Sequence, residues 1–178
     1  SEERILRCCR THLIPCRILQ PTLIYGHVGP YRDRNLSLVL KLLRFLPFIC
    51  LPAQSGLRQP IHALQLADVV FHFLLQMSDN FPNLPSTDCL QIGGDISLSY
   101  DSMIAAIKTA QPDGDPAHRC RLLFVPNRVF FIFAAPFVIF SPKLFEAVLR
   151  ICADLSGFTP SHKILGRDPS PFPLHPFG

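Results

Sequence analysis

Arginine is the side chain best suited to hold an anion, because its planar fork of donors matches phosphate and carboxylate oxygens. Arg58 is the only charged residue between Arg44 and Asp68, in the run Gly56-Leu57-Arg58-Gln59-Pro60-Ile61-His62. Pro60 fixes its own φ and removes a donor, so the sequence predicts an extended segment from Arg58 to Pro60 near a sheet edge. Arg58 is therefore the first candidate for a ligand contact. Arg4, Arg7 and Arg10 recur every three residues and read as one solvated helix face. No basic run is interleaved with aromatics, so a nucleic-acid surface is not expected. Asp68, His72 and Gln76 fall at i, i+4, i+8. An Asp–His pair can do acid–base work, but this spacing reads as the outward polar stripe of a half-buried helix.

The seven cysteines are Cys8, Cys9, Cys16, Cys50, Cys89, Cys120 and Cys152. Their number is odd, no C-x-x-C occurs, and neither they nor the seven histidines recur at zinc-ligand spacing. The sequence thus predicts reduced thiols, no metal site and a cytoplasmic setting. Gly26 and Gly29 follow a strand pattern, but Pro30 and Tyr31 come next instead of a helix. A turn is expected there, because a dinucleotide loop needs G-x-G-x-x-G opening directly into a helix.

These residues must be positioned by a chain of 178 residues that is 48% hydrophobic and 17% charged, with net charge +4. That composition suits one domain's worth of folded protein and excludes disorder. Ser1 caps an expected helix to His12, with Ile5, Leu6, Cys9 and Leu13 as its apolar face. A strand over 16–20 and a loop over 21–30 follow. Periodicity predicts a helix over 35–45 with Asn35 as N-cap, a strand over 48–51, a turn over 52–56 and a helix over 64–77. A Pro- and Asn-rich connection over 79–88 divides the chain into expected units 1–80 and 81–178. Beyond it come a strand over 89–92, a helix over 100–110 capped by Ser99 with Met103, Ile104 and Ile107 inward, and an exposed polar loop over 111–118. Residues 122–125 read as extended. The apolar run from Val129 to Phe140 is too short for a membrane span and contains Pro136. It reads as a buried or surface-associated helix that could touch a membrane surface. A helix over 142–152 and a Pro-rich tail from Asp168, extended over the surface, complete the chain.

Several blocks, taken in order, resemble one family. The segment Ile18-Leu19-Gln20-Pro21-Thr22-Leu23-Ile24-Tyr25-Gly26 resembles the R-P-x-x-x-Y-G strand and loop of the extended short-chain dehydrogenase/reductases, the NAD-dependent nucleotide-sugar epimerases and dehydratases. Asp33-Arg34-Asn35-Leu36 and the run from Gly56 to His62 are similar to its next two blocks. Gln91-Ile92-Gly93-Gly94 with Leu98-Ser99-Tyr100 resembles its N-I-G-G and L-S-Y block. Leu165-Gly166 and the run from Pro169 to Phe172 resemble its closing element.

The resemblance covers nearly the whole chain. It implies an α/β fold: the C-terminal part of a Rossmann-like doubly wound sheet plus a small α+β substrate-binding domain. It assigns Arg58 to the diphosphate of a nucleotide-diphosphate sugar, Asn35 and Leu36 to the nucleotide, and Pro21 and Thr22 to the nicotinamide side. NAD(P) would serve the full-length protein, with no cofactor expected to bind this chain alone. The family's acid–base work uses a Tyr-x-x-x-Lys pair, the lysine lowering the tyrosine pKa. Here Tyr25, Tyr31 and Tyr100 are followed four residues later by Gly29, Asn35 and Ile104. No catalytic residue is assigned, and the resemblance puts that pair and the Gly-rich fingerprint upstream of Ser1.

Leu23-Ile24 stand where many members have a polar Asn, Leu64-Gln65 where an acidic pair is usual, and Gln20 where Arg usually precedes the proline. Two readings follow. One is the substrate-binding half of an NAD(P)-dependent epimerase, dehydratase or reductase. The other is a non-catalytic binding or assembly protein of the same fold, or a degraded fragment. The sequence leaves the oligomeric state open, with a homodimer as one option. A half sheet would leave strand 16–20 with an open apolar edge and the chain prone to aggregate.

Overall fold

In the computed structural model, residues 2–28, 31–79, 88–136 and 141–174 are described. The expected cap at Ser1, the turn at Gly29 and Pro30, most of the 79–88 connection, and the last residues of the apolar run and of the tail lie outside them.

Strand β1 (Arg17–Pro21) runs parallel to β8 (Asp88–Gly93), which pairs on its other side with β11 (Thr159–Pro160). A second parallel ladder joins β5 (Phe48–Pro52) to β10 (Arg121–Val125). Parallel neighbours need crossover connections, and both longer ladders join strands from opposite sides of residue 80. Short pairs complete the strands. The parallel pair is β2 (Ile24–Tyr25) with β7 (Ile61–His62). The antiparallel pairs are β3 (His27–Val28) with β4 (Tyr31–Arg32) and β6 (Leu57–Arg58) with β9 (Leu98–Ser99). The stretch read as a loop over 21–30 thus carries paired strands. The architecture is α/β with parallel sheets.

Seven α-helices occur among the described residues: α1 (Glu2–Thr11), α2 (Asn35–Phe45), α3 (Ala63–Asp79), α4 (Tyr100–Thr109), α5 (Asn127–Ala134), α6 (Pro142–Cys152) and α7 (Ser161–Leu165). Helices α2 and α4 face each other: Leu36, Leu40 and Leu43 pack with Met103, Ile104 and Ile107 in one buried cluster with Leu51 and Tyr25. The inward face expected for α4 is the one observed, and Ser99 caps it by accepting from the Ser102 N–H. Beneath α3, Ile61, Val69, Phe73 and Ile92 form a second cluster.

Three local expectations change, and one that left two alternatives is narrowed. The α2 cap is Asp33, whose carboxylate accepts from the N–H groups of Asn35 (2.8 Å) and Leu36 (3.1 Å). A side chain two residues upstream reaches both donors, as Asx turns do. Helix α1 buries no residue: Ile5 is 50% exposed, and Leu13, expected on the apolar face, lies past the helix end and is 91% exposed. The 111–118 loop is anchored rather than loose. Asp115 caps a 3-10 turn over Pro116–Arg119 and pairs with Arg44 at 2.7 Å, while Gln111 and Ala117 are buried. In the apolar run, α5 keeps Ile132 and Phe133 exposed and buries Ala134, which places this helix on the surface.

Candidate functional site

Chain segments far apart in sequence meet around one cavity of about 510 Å³. Pro21 and Thr22 enter from the end of β1, Asn35 and Leu36 from the first turn of α2, and Arg58 with Gln59 from the end of β6. All five residues singled out from the sequence line this space. Its size is that of a small-molecule site.

Two close approaches shape the corner. A Cβ on Gly56 would meet the Ala153 carbonyl oxygen at 2.1 Å, and one on Gly94 would meet the Pro60 oxygen at 1.8 Å. Glycine at 56 lets the chain beyond α6 reach Arg58. The Arg58 guanidinium donates to the Leu57 carbonyl at 2.8 Å and to the Ala153 carbonyl, and lies 5.8 Å from the Tyr100 ring centroid. Arg58 is 5% exposed. Burial lowers its pKa, opposed by Tyr100, Asp154 and Cys152, but an arginine remains charged at neutral pH. The isolated arginine of the sequence is therefore a pre-positioned buried cation.

Gln59 acts as a clamp. Its amide nitrogen donates to the carbonyls of Gly94 (2.8 Å) and Phe158 (3.1 Å), and its oxygen accepts from the Phe158 N–H at 3.2 Å. The Thr22 hydroxyl donates to the Gln59 carbonyl at 2.5 Å. That hydroxyl is spent on structure, as are the first N–H groups of α2, which Asp33 has taken. This helix terminus is neutralised from within.

Three further polar residues line it that the sequence does not single out as ligand contacts: Tyr100, Gln59 and Arg150. Arg150 pairs with Glu146 at 3.9 Å along its helix and also borders the cavity. Tyr100 belonged to a recognised block and could have been found. Burial raises its pKa, opposed by Arg58. No carboxylate, histidine or lysine lines the cavity among the described residues. The arrangement can hold an anion against apolar walls such as Leu23, Val39 and Phe158, but offers little for proton transfer.

Leu64-Gln65, the departure at the start of α3, has a structural use. Gln65 accepts from the His62 N–H (3.0 Å) while the His62 ring accepts from the Leu64 N–H (3.2 Å), a reciprocal cap. Gln65 also donates to Asp95 at 2.9 Å. The Asp95 side chain is fully buried and accepts further from the Ser161 hydroxyl (2.5 Å) and the N–H groups of His162 (2.8 Å) and Ser170 (2.9 Å). Burial pushes its carboxyl pKa up, but these hydrogen bonds outweigh burial and the net direction is down. The tail is held again where the Leu174 N–H donates to the Tyr25 hydroxyl at 3.0 Å. Tyr25 is pushed up to about 12 by burial, against that bond and with the Asp95 charge adding to the rise.

The Asp68, His72 and Gln76 stripe pairs locally: Arg167 with Asp68 at 2.9 Å, and Gln76 with the His72 ring at 2.9 Å. No group of three potential ligands for a metal occurs among the described residues. No described helix is long and apolar enough to cross a membrane. All seven cysteines are free thiols. No protein-family model matches the chain, and no curated protein matches it.

Proposed function

We propose that the chain is the substrate-holding part of an NAD(P)-dependent epimerase, dehydratase or reductase acting on a nucleotide-diphosphate sugar, working in the cytoplasm. Arg58 takes the diphosphate, Asn35 and Leu36 border the nucleotide, and Pro21 and Thr22 form the side nearest the nicotinamide. One observation carries the reading: these five residues, chosen from three separate motifs, line one cavity. A buried guanidinium with one edge on backbone carbonyls is positioned in advance, so little ordering cost opposes binding.

The residues present fit the sugar diphosphate better than the dinucleotide. The chain carries no G-x-G-x-x-G, and the N–H groups at the start of α2 are occupied. The chain's own part is therefore to bind and orient. The absence of any lining carboxylate, histidine or lysine among the described residues favours a second reading, a non-catalytic binding protein of the same fold.

Calorimetric titration with UDP-glucose tests the binding that both readings share. Wild-type protein should bind it, and Arg58→Lys, which keeps the charge but loses the fork, should bind about tenfold more weakly. Circular dichroism of the variant controls for folding. Absence of UDP-glucose binding, or equal binding by a folded Arg58→Lys, would overturn the assignment of Arg58.

A further inference from the structure

At the other end of β1 lies a second cavity, of about 490 Å³, bordered by α3, α7, Thr159 and the starts of β1 and β8. Phe73, Leu90 and Ile164 give it an apolar wall. Arg17 lies over Phe73 with its guanidinium carbon 4.5 Å from the ring centroid. Phe73 is 9% exposed and belongs to the cluster beneath α3, so the platform under the guanidinium is fixed. Arg17 makes no ion pair among the described residues. A cation over a ring face uses that face and leaves its edge donors for other partners. The hydrogen-bonded pair of Gln76 and His72 adds a polar element to the same cavity.

A single unpaired guanidinium beside an apolar wall selects one ligand chemistry. The fork matches a carboxylate bidentately, and one cation neutralises one negative charge. The wall accommodates a hydrocarbon body. The volume falls in the range of small-molecule sites. We propose that this cavity binds a small amphipathic monocarboxylate, with the carboxylate on Arg17 and the hydrocarbon against Phe73, Leu90 and Ile164. The site is separate from the Arg58 cavity and does not depend on the function proposed there.

NMR titration of the whole chain with hexanoate, hexan-1-ol and inorganic phosphate tests it. Hexanoate should bind about tenfold more tightly than hexan-1-ol, the increment expected of a charge-assisted pair, and more tightly than phosphate. In Arg17→Gln, hexanoate should fall to the level of hexan-1-ol while hexan-1-ol is unchanged, and Arg58→Lys should leave hexanoate binding intact. An unchanged melting temperature and hexan-1-ol affinity show that Arg17→Gln is folded. Should that variant lose its fold, Arg17→Lys replaces it, with intermediate hexanoate binding expected. Equal binding of hexanoate and hexan-1-ol, phosphate binding as tightly as hexanoate, undiminished hexanoate binding in the Arg17 variant, or no hexanoate binding at all would each overturn the proposal.

Discussion

Around α2 and α4 the chain closes on itself, and Leu43, Met103 and Ile107 are wholly buried. On the α3 side burial is thinner: the same helix that buries Val69 leaves Phe71 62%, Leu74 57% and Leu75 48% exposed, and α1 buries nothing. Helices α2 and α4 bury one apolar face against each other, while α2 leaves Leu38 57%, Leu42 41% and Phe45 84% exposed on its other side. Apart from the polar stripe of Asp68, His72 and Gln76, helix α3 is largely apolar, a pattern that calls for partners on more than one side. Among the described residues it has them on one. Its outer face is the kind of exposed apolar surface that marks an interaction or aggregation site. Among the described residues β1 pairs with β8 alone.

The contrast can be broken by mutation, beginning where the effect is largest. Ile107→Ala should cost about 2–5 kcal/mol in urea unfolding, since the residue is wholly buried and its neighbours cannot collapse fully into the gap. Next comes Asp95, the polar hub that compensates for the thinner apolar packing on the α3 side. Asp95→Ala should cost about 3 kcal/mol, because it strips several charge-assisted hydrogen bonds at once.

The same carboxyl predicts a pH response. Its folded pKa lies below the ordinary 3.8. Its contribution is therefore fully present above that value and is lost as pH falls through the folded pKa. Urea midpoints measured from pH 6 down to pH 2.5 should fall less steeply in Asp95→Asn than in wild type. Equal slopes would mean that the hub carries no charge-dependent stability.

The smallest effect on stability belongs to the outer face of α3. Phe71→Ser should change stability by only about 0.5 kcal/mol while lowering self-association seen by light scattering. A loss comparable to that of Ile107→Ala would erase the distinction between the two sides.

What could be read in advance was what short-range chemistry specifies. The bounds of α2, the Ser99 cap and the inward triad Met103, Ile104 and Ile107 follow from periodicity and capping. The extended Arg58 corner follows from Pro60. Arg58 follows from its residue type and local setting, whereas Pro21, Thr22, Asn35 and Leu36 follow only from motif order and from no local rule. Asp33 was missed as a cap because Asn35, an equally good capping type, stands two residues on. Arg150 was missed because its helix positions also fit a solvated salt bridge with Glu146. Asp95 gave no sign at all: its partners are scattered through α3, α7 and the tail, and no periodicity connects them. The half-burial of α3 is legible from its polar stripe, but not the exposure of Phe71, Leu74 and Leu75, since apolar composition reveals a demand for burial but not whether it is met.

The scattered partners of Asp95 have a consequence for the order of folding. They lie 30, 66, 67 and 75 residues away along the chain. Closing loops of that length costs entropy before any bond is returned. The α2 N-cap, by contrast, joins residues two and three apart and can form as soon as its helix nucleates. The hub should therefore assemble after the folding barrier, so that losing Asp95 mainly speeds unfolding and leaves the folding rate nearly unchanged. The carboxylate then serves as a latch, setting how long the tail and α7 stay docked once the rest of the chain is in place.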